Sequence, residues 1–312
     1  MERAVTILEA ACGPVFPGAV ACVLHRGHLV LHAAVGHRAL VPVPEPNACD
    51  TIYDLASLTK PMVVGTLLLR SAVDLDESAG PWPGVTVRHL AGHTSGLPPF
   101  RDVASIDEVL ATPLVTPPGE RAVYSDLGYM ALGAHLERRL GAPLDVLAAP
   151  IFRELGLADT GYRPAPSPRI APTEVSEARG VIRGEVHDPN AWRLGGVAGH
   201  AGLFGTALDV ATWAQSLLSM PRAREFWTAP SIARTPTSWR LCFDTVTPGM
   251  SSAGRHFGPR AVGHLGFTGT SVWIEPDREW VVVLLSNRVH PRPHDAIKAL
   301  RPRFHDAVAE DL

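Results

Sequence analysis

The stretch that most constrains this chain is Asp54–Leu69, in which a serine and a lysine stand three residues apart among leucine, valine and methionine. At about 3.6 residues per turn, a helix here puts Ser57 and Lys60 on one face. Leu55, Leu58, Met62, Val63, Val64, Leu67 and Leu68 spread over the other sides, which marks a buried helix and not an amphipathic surface one. Burial strips hydration from an ammonium group and favours the neutral amine, which can take a proton from a neighbouring hydroxyl. Lysine is also scarce: of 28 Lys and Arg residues only Lys60 and Lys298 are lysine. Everywhere else the cation is arginine, which does not surrender its proton. S-x-x-K alone is a weak pattern, but a lysine kept inside an apolar helix beside a serine points to nucleophilic chemistry.

Composition narrows the setting. Apolar residues make up 46% of 312 and charged residues 19%, enough for a substantial core in one large domain or two intergrown ones. Net charge is −3 with a pI near 6.5 and no basic run, so neither nucleic-acid nor membrane binding is expected. Residues 1–9 lack a basic region followed by an apolar stretch, and no apolar run approaches the ~20 residues that span a bilayer. Cys12, Cys22, Cys49 and Cys242 show neither metal-ligand spacing nor a disulfide framework. The expectation is a reduced, cytoplasmic protein with no cofactor and no metal.

Along the chain, residues 2–12 carry helical spacing that Gly13-Pro14 ends, and 18–24 and 28–35 are β-rich runs joined at His25-Arg26-Gly27. Residues 36–50 read as Pro-rich loop. Helices are expected over 57–70, 103–111, 125–140 and 143–155, separated by long loops, and over 207–219 behind a Thr206 cap. Strands return at about 239–245, 261–266, 270–275 and 279–286, and 294–309 reads as helix that Pro302 should kink or split. Strands at both ends with helices between imply an α+β fold. Its antiparallel sheet is built from residues 1–56 and 206–312, with a helical insertion over 57–205 and a site at the seam.

Three further stretches suit such a seam: Tyr124-Ser125-Asp126 opening a helix, His93-Thr94-Ser95-Gly96-Leu97 in a turn-rich loop, and His264-Leu265-Gly266-Phe267-Thr268-Gly269-Thr270 in a Gly-rich strand. Taken in order with Ser57-Leu58-Thr59-Lys60, they resemble the serine β-lactamases, penicillin-binding DD-peptidases and related esterases and aminopeptidases. That superfamily reads S-x-x-K, then Y-x-N, then K-T-G or H-x-G. The HTSGL run and Gly202-Leu203-Phe204-Gly205-Thr206 resemble the class C-like branch, and the likeness covers about residues 2–309.

The resemblance implies a β-lactamase/transpeptidase-like fold and an acyl-enzyme on Ser57 Oγ, with Lys60 and Tyr124 sharing proton transfer in either order. It further implies an oxyanion hole from the backbone N–H groups of Ser57 and Phe267. Asp126, His264, Gly266 and Thr268 would bind substrate, His264 holding a carboxylate or tuning Tyr124. Asp126 departs from the family's Asn and could instead cap its helix. His93 reads as a loop brace. His187, Asp188 and His200, in the polar and Gly-rich stretch 183–202, read as parts of a hydrogen-bonded lid in preference to metal ligands. The partner expected is a small amide or ester: D-amino-acid peptide, muropeptide, β-lactam or carboxylic ester. A penicillin-binding sensor that does not turn over is the rival reading, and a metallohydrolase a third.

Overall fold

The computed structural model describes residues 1–312. Seven antiparallel strands form the main sheet in the order Glu45–Pro46, His28–Ala39, Gly18–His25, Trp280–Ser286, Ser271–Glu275, Val262–Leu265, Asp244–Thr245. The two chain ends meet at its centre, where Ala19 pairs with Ser286 and His25 with Trp280. The first hairpin closes through Arg26 and Gly27, whose φ values of 51° and 75° suit the right-handed twist of the flanking strands.

Both faces of the sheet are covered, which is why its central strands read as unbroken apolar runs. Ala19, Ala21 and Val23 face one side with Trp280, Val282 and Leu284. There they meet the first helix, Glu2–Ala11, through Ala4 and Leu8, and the last, Ile297–Asp311, through Phe304 and Val308. Val20, Cys22 and Leu24 face the other side with Val281, Val283 and Leu285. That alternation is the period of two inherent to a strand. The second side joins the helix Ala207–Leu218, through Trp213 and Leu217, to the helical segment through Leu58, Leu68, Tyr129 and Met130 in one shared core.

The main departures from the sequence expectations are local. The Ser57 segment is not one regular α-helix: a tight turn over Ala56–Leu58 passes into wide turns over Lys60–Gly65 and becomes α-helical at Thr66–Arg70. Pro61 lacks an N–H, which fits a place near the start of the wide turns. Pro302 does not split the last helix, which runs unbroken over Ile297–Asp311. The helix expected at 103–111 shrinks to Ile106–Leu110, an unexpected short helix stands at Val87–Ala91, and the expected strand at 239–245 shrinks to Asp244–Thr245. The stretch 57–205, expected as helix and loop, also carries strands. Leu203–Gly205 pairs with Tyr53–Asp54 on one edge and with Gly161–Tyr162 on the other.

Candidate active site

Ser57 is delivered by a short strand and a strained corner. Tyr53–Asp54 is held in the small sheet, and Ala56 then takes φ +47°, a left-handed conformation uncommon for a residue with a Cβ. Asp54 Oδ1 accepts the Ala56 N–H at 2.8 Å and its Oδ2 accepts the His187 N–H at 2.7 Å. One buried carboxylate therefore fixes the corner and ties the 187 loop to it. Thr59 Oγ1 locks the following turn by donating to the Ala56 carbonyl at 2.7 Å and accepting the Leu203 N–H at 3.1 Å.

Lys60 is completely buried, and Nζ lies 2.9 Å from Ser57 Oγ, 2.7 Å from Asp126 Oδ1 and 3.2 Å from the His200 carbonyl. Those three acceptors match the three N–H bonds of an ammonium group. Burial on its own would push the lysine pKa down, as the sequence suggested. Asp126 and Tyr124 outweigh it, and the net displacement is upward. Tyr124 donates its hydroxyl to Ser57 Oγ at 2.7 Å. Burial raises its pKa against the downward pull of Lys60. The serine oxygen thus sits between a phenol and a paired ammonium ion.

Asp126 is not the helix cap. Ser125 holds that place, its Oγ accepting the Gly128 N–H at 3.0 Å, while Asp126 occupies the first turn and turns its carboxylate to Lys60. His264 is 1% exposed, and its Nδ1 donates to the Leu265 carbonyl at 2.9 Å. Burial, helped by Lys60, drives its pKa down to about 3, so it is neutral and offers no positive charge to a substrate carboxylate. His93 accepts the Ser125 N–H at 3.1 Å and is likewise driven well down by burial, which fits a brace. Its ring, like that of His264, packs at a tilt or edge-on against Tyr124 and Trp239.

Two residues expected to meet substrate also hold the structure together. Thr268 is buried and donates to the Asp54 carbonyl at 2.8 Å. Gly266 lies so close to the nucleophile turn that a Cβ there would stand 2.0 Å from Thr270 Oγ1 and 2.7 Å from the Leu55 carbonyl. The backbone N–H groups of Ser57 and Phe267 donate to no backbone acceptor.

A cavity of about 370 Å³ opens on Ser57 and Asp126. Phe100 and Phe267 line it as apolar rings, Phe267 stacked on His187 at 5.5 Å, and Glu174, His187, Asp188 and His200 supply its polar groups. His187 Nε2 meets Glu174 Oε2 at 3.0 Å, and His200 Nε2 meets Asp188 Oδ1 at 2.8 Å. Each histidine therefore has one carboxylate partner, and no group of three or more His, Cys, Asp or Glu side chains is arranged to hold a metal. Gly199 lets this loop approach: a Cβ would fall 2.3 Å from the Tyr129 carbonyl, and the next residue supplies the carbonyl that takes Lys60. A larger cavity, about 710 Å³ around Met130, Leu144 and Leu194, contains none of these polar groups.

Sequence reading missed Asp54, Glu174 and Trp239. Asp54 and Trp239 lie in no motif. Glu174 lines the cavity just before Val175–Ser176, which pairs with Gly180–Val181.

The β-lactamase family profile matches residues 9–305. A Salmonella paratyphi A protein provisionally named a D-alanyl-D-alanine carboxypeptidase is 29% identical, over 88% of this chain and 79% of its own length. Among solved structures, a β-lactamase from Mycobacterium bovis superimposes with a TM-score of 0.69 at 24% identity, covering 97% of this chain and 98% of its own. EstCE1, a hydrolase with promiscuous acyltransferase activity, gives 0.78 at 21% identity, covering 99% and 98%.

Proposed function

The chain belongs to the β-lactamase family of serine hydrolases, and on that premise we propose that it hydrolyses a small amide or ester through an acyl-enzyme on Ser57. The observation that carries this reading is Ser57 Oγ held at once by Tyr124 OH at 2.7 Å and Lys60 Nζ at 2.9 Å.

In the proposed reaction, Ser57 Oγ bonds to the substrate carbonyl carbon and the tetrahedral oxyanion is received by the N–H groups of Ser57 and Phe267. Lys60 is kept an ammonium ion by Asp126. Tyr124 is then the group that exchanges the serine proton, its phenolate form stabilised by the adjacent cation, and it returns that proton to the departing alcohol or amine. Water attacks the ester carbonyl in the second half-reaction, releasing the acid and restoring the serine hydroxyl.

Two observations weigh against a non-turning-over sensor as the better reading. The nucleophile opens directly on a cavity of about 370 Å³, a volume suited to a small substrate, and a proton carrier already touches it. A fluorophosphonate probe tests the assignment: intact-mass analysis should find one adduct, mapped to Ser57, together with repeated turnover of a chromogenic ester. Equal labelling of Ser57→Ala removes the nucleophile, and one equivalent of product with no further release favours the sensor.

A further inference from the structure

The charges around the Ser57 cavity are unbalanced. Asp126, Glu174 and Asp188 all line it, with side chains 22%, 34% and 22% exposed. No lysine or arginine lines the cavity. Lys60 lies beneath it, wholly buried and already paired with Asp126, and the two lining histidines, His187 and His200, are already engaged with Glu174 and Asp188. Arg288 packs its guanidinium on the Phe267 ring at 4.7 Å, but its side chain is 7% exposed and engages the His294 carbonyl and Asp295. His264, the strand histidine beside Tyr124, is buried and neutral.

A substrate anion therefore finds no free cation here, whereas a substrate cation finds unused acceptors. Glu174 gives Oε2 to His187 and Asp126 gives Oδ1 to Lys60, which leaves Glu174 Oε1 and Asp126 Oδ2 with no side-chain partner. In the same cavity Phe100 and Phe267 present apolar rings that are 49% and 54% exposed, and Phe267 stacks on His187, the partner of Glu174, at 5.5 Å. An ammonium group and an apolar group carried on the same small acyl unit match these acceptors and rings.

Resting on the serine-hydrolase reading above, we infer that the site selects acyl substrates that carry a protonated amine, held by Glu174 with Asp126, and an apolar side chain laid on Phe100 and Phe267. The chemical class is an aminoacyl ester or amide with a free α-amine and a hydrophobic side chain. This differs from a carboxypeptidase, whose substrate must present a terminal carboxylate. In the reaction itself Ser57 Oγ acylates at the aminoacyl carbonyl, the alcohol or amine leaves with a proton, and water frees the amino acid. The substrate's own α-ammonium takes no part in the bond changes.

The test is a matched pair of p-nitrophenyl esters of one hydrophobic amino acid, in each enantiomer, with the α-amine free or N-acetylated. Wild-type kcat/KM at pH 6.5 should favour the free amine by roughly 10- to 100-fold, the size of one or two charge-assisted hydrogen bonds. That preference should shrink as pH rises past about 8, where an α-amino group loses its proton. Glu174→Gln should bring the ratio toward one, chiefly through KM. Equal or better turnover of the N-acetyl ester by wild type overturns the inference while leaving a Ser57-dependent hydrolase in place. If neither ester shows Ser57-dependent turnover, and Ser57 takes no fluorophosphonate, the inference and the hydrolase reading fall together.

Discussion

Asp126 Oδ1 sits 2.7 Å from Lys60 Nζ, an ion pair whose lysine is wholly buried and whose carboxylate reaches the cavity. The pair decides the protonation state of the site. Burial alone pulls the Lys60 pKa down; Asp126, with Tyr124, outweighs it and the displacement is upward. The same negative charge also contributes to the raised pKa of Tyr124.

Asp126→Asn should therefore lower the pKa of both candidate bases, because it removes a charge that favours the protonated form of each. The acidic limb of kcat/KM for a simple ester should move to lower pH. A pH–rate profile of wild type and variant checks this, and a limb that stays in place or moves upward shows that Asp126 does not control the proton.

The same substitution should alter selectivity. An ionised Asp is acceptor-only, whereas an Asn amide can donate to the acylamino carbonyl of a β-lactam side chain. The ratio of kcat/KM for an acylamino β-lactam to that for a p-nitrophenyl ester should rise in Asp126→Asn. An unchanged or lower ratio means that Asp126 acts on Lys60 alone.

Tyr124→Phe removes the hydroxyl that touches Ser57 Oγ and leaves the ring among His93, Trp239 and His264. The rate of acylation should fall by roughly 10²- to 10⁴-fold, the range for loss of a general acid–base group, with melting temperature little changed. Burst kinetics on an activated ester measure that step directly. A variant that acylates at the wild-type rate returns base duty to Lys60.

Asp54→Asn keeps the shape of the side chain but gives it an NH2 group where it now has a second acceptor. Only one of the Ala56 and His187 N–H groups can then be satisfied. Leaving a buried N–H unpaired costs about 1–3 kcal/mol, so chemical denaturation should show that loss together with reduced labelling of Ser57. Full stability and reactivity would show that the Asp54 clamp does not position the nucleophile.

Asp188 predicts how the fold responds to acid. Burial would raise its pKa, but His200 and the Ala191 N–H prevail and hold it at about 2. A carboxyl depressed in the folded state contributes stability above its ordinary value near 4 and loses it as pH falls from about 4 through about 2. The contribution is about 2 kcal/mol at neutral pH. Asp188→Asn should show a shallower fall in unfolding free energy between pH 5 and 2.5 in denaturant titrations. A variant with the same slope as wild type would place the acid sensitivity elsewhere.

The local patterns that sequence can carry were legible. Ser57 with Lys60, the apolar strand runs at both ends, the Arg26-Gly27 turn, the Thr206 cap and the helix after Ser125 all follow from spacing, capping and turn chemistry between near neighbours. An α+β sheet made from both termini followed from where those runs lie. What the sequence could not express is which distant groups share a dielectric environment. Lys60 looked like a lysine that burial would neutralise, and only the fold brings Asp126 to 2.7 Å and Tyr124 beside it, which together reverse the sign. His264 read as a holder of a carboxylate or a tuner of Tyr124, and the fold leaves it buried and neutral beside that ring; Thr268, read as a substrate contact, also has its hydroxyl on the Asp54 carbonyl. Glu174 carries no motif and lines the cavity just before a short hairpin whose register no local signal announces. Spacing along a helix or strand is a property of neighbours in the chain. Desolvation and Coulomb interaction depend on which residues the tertiary fold brings together, so they decided the chemistry of the site.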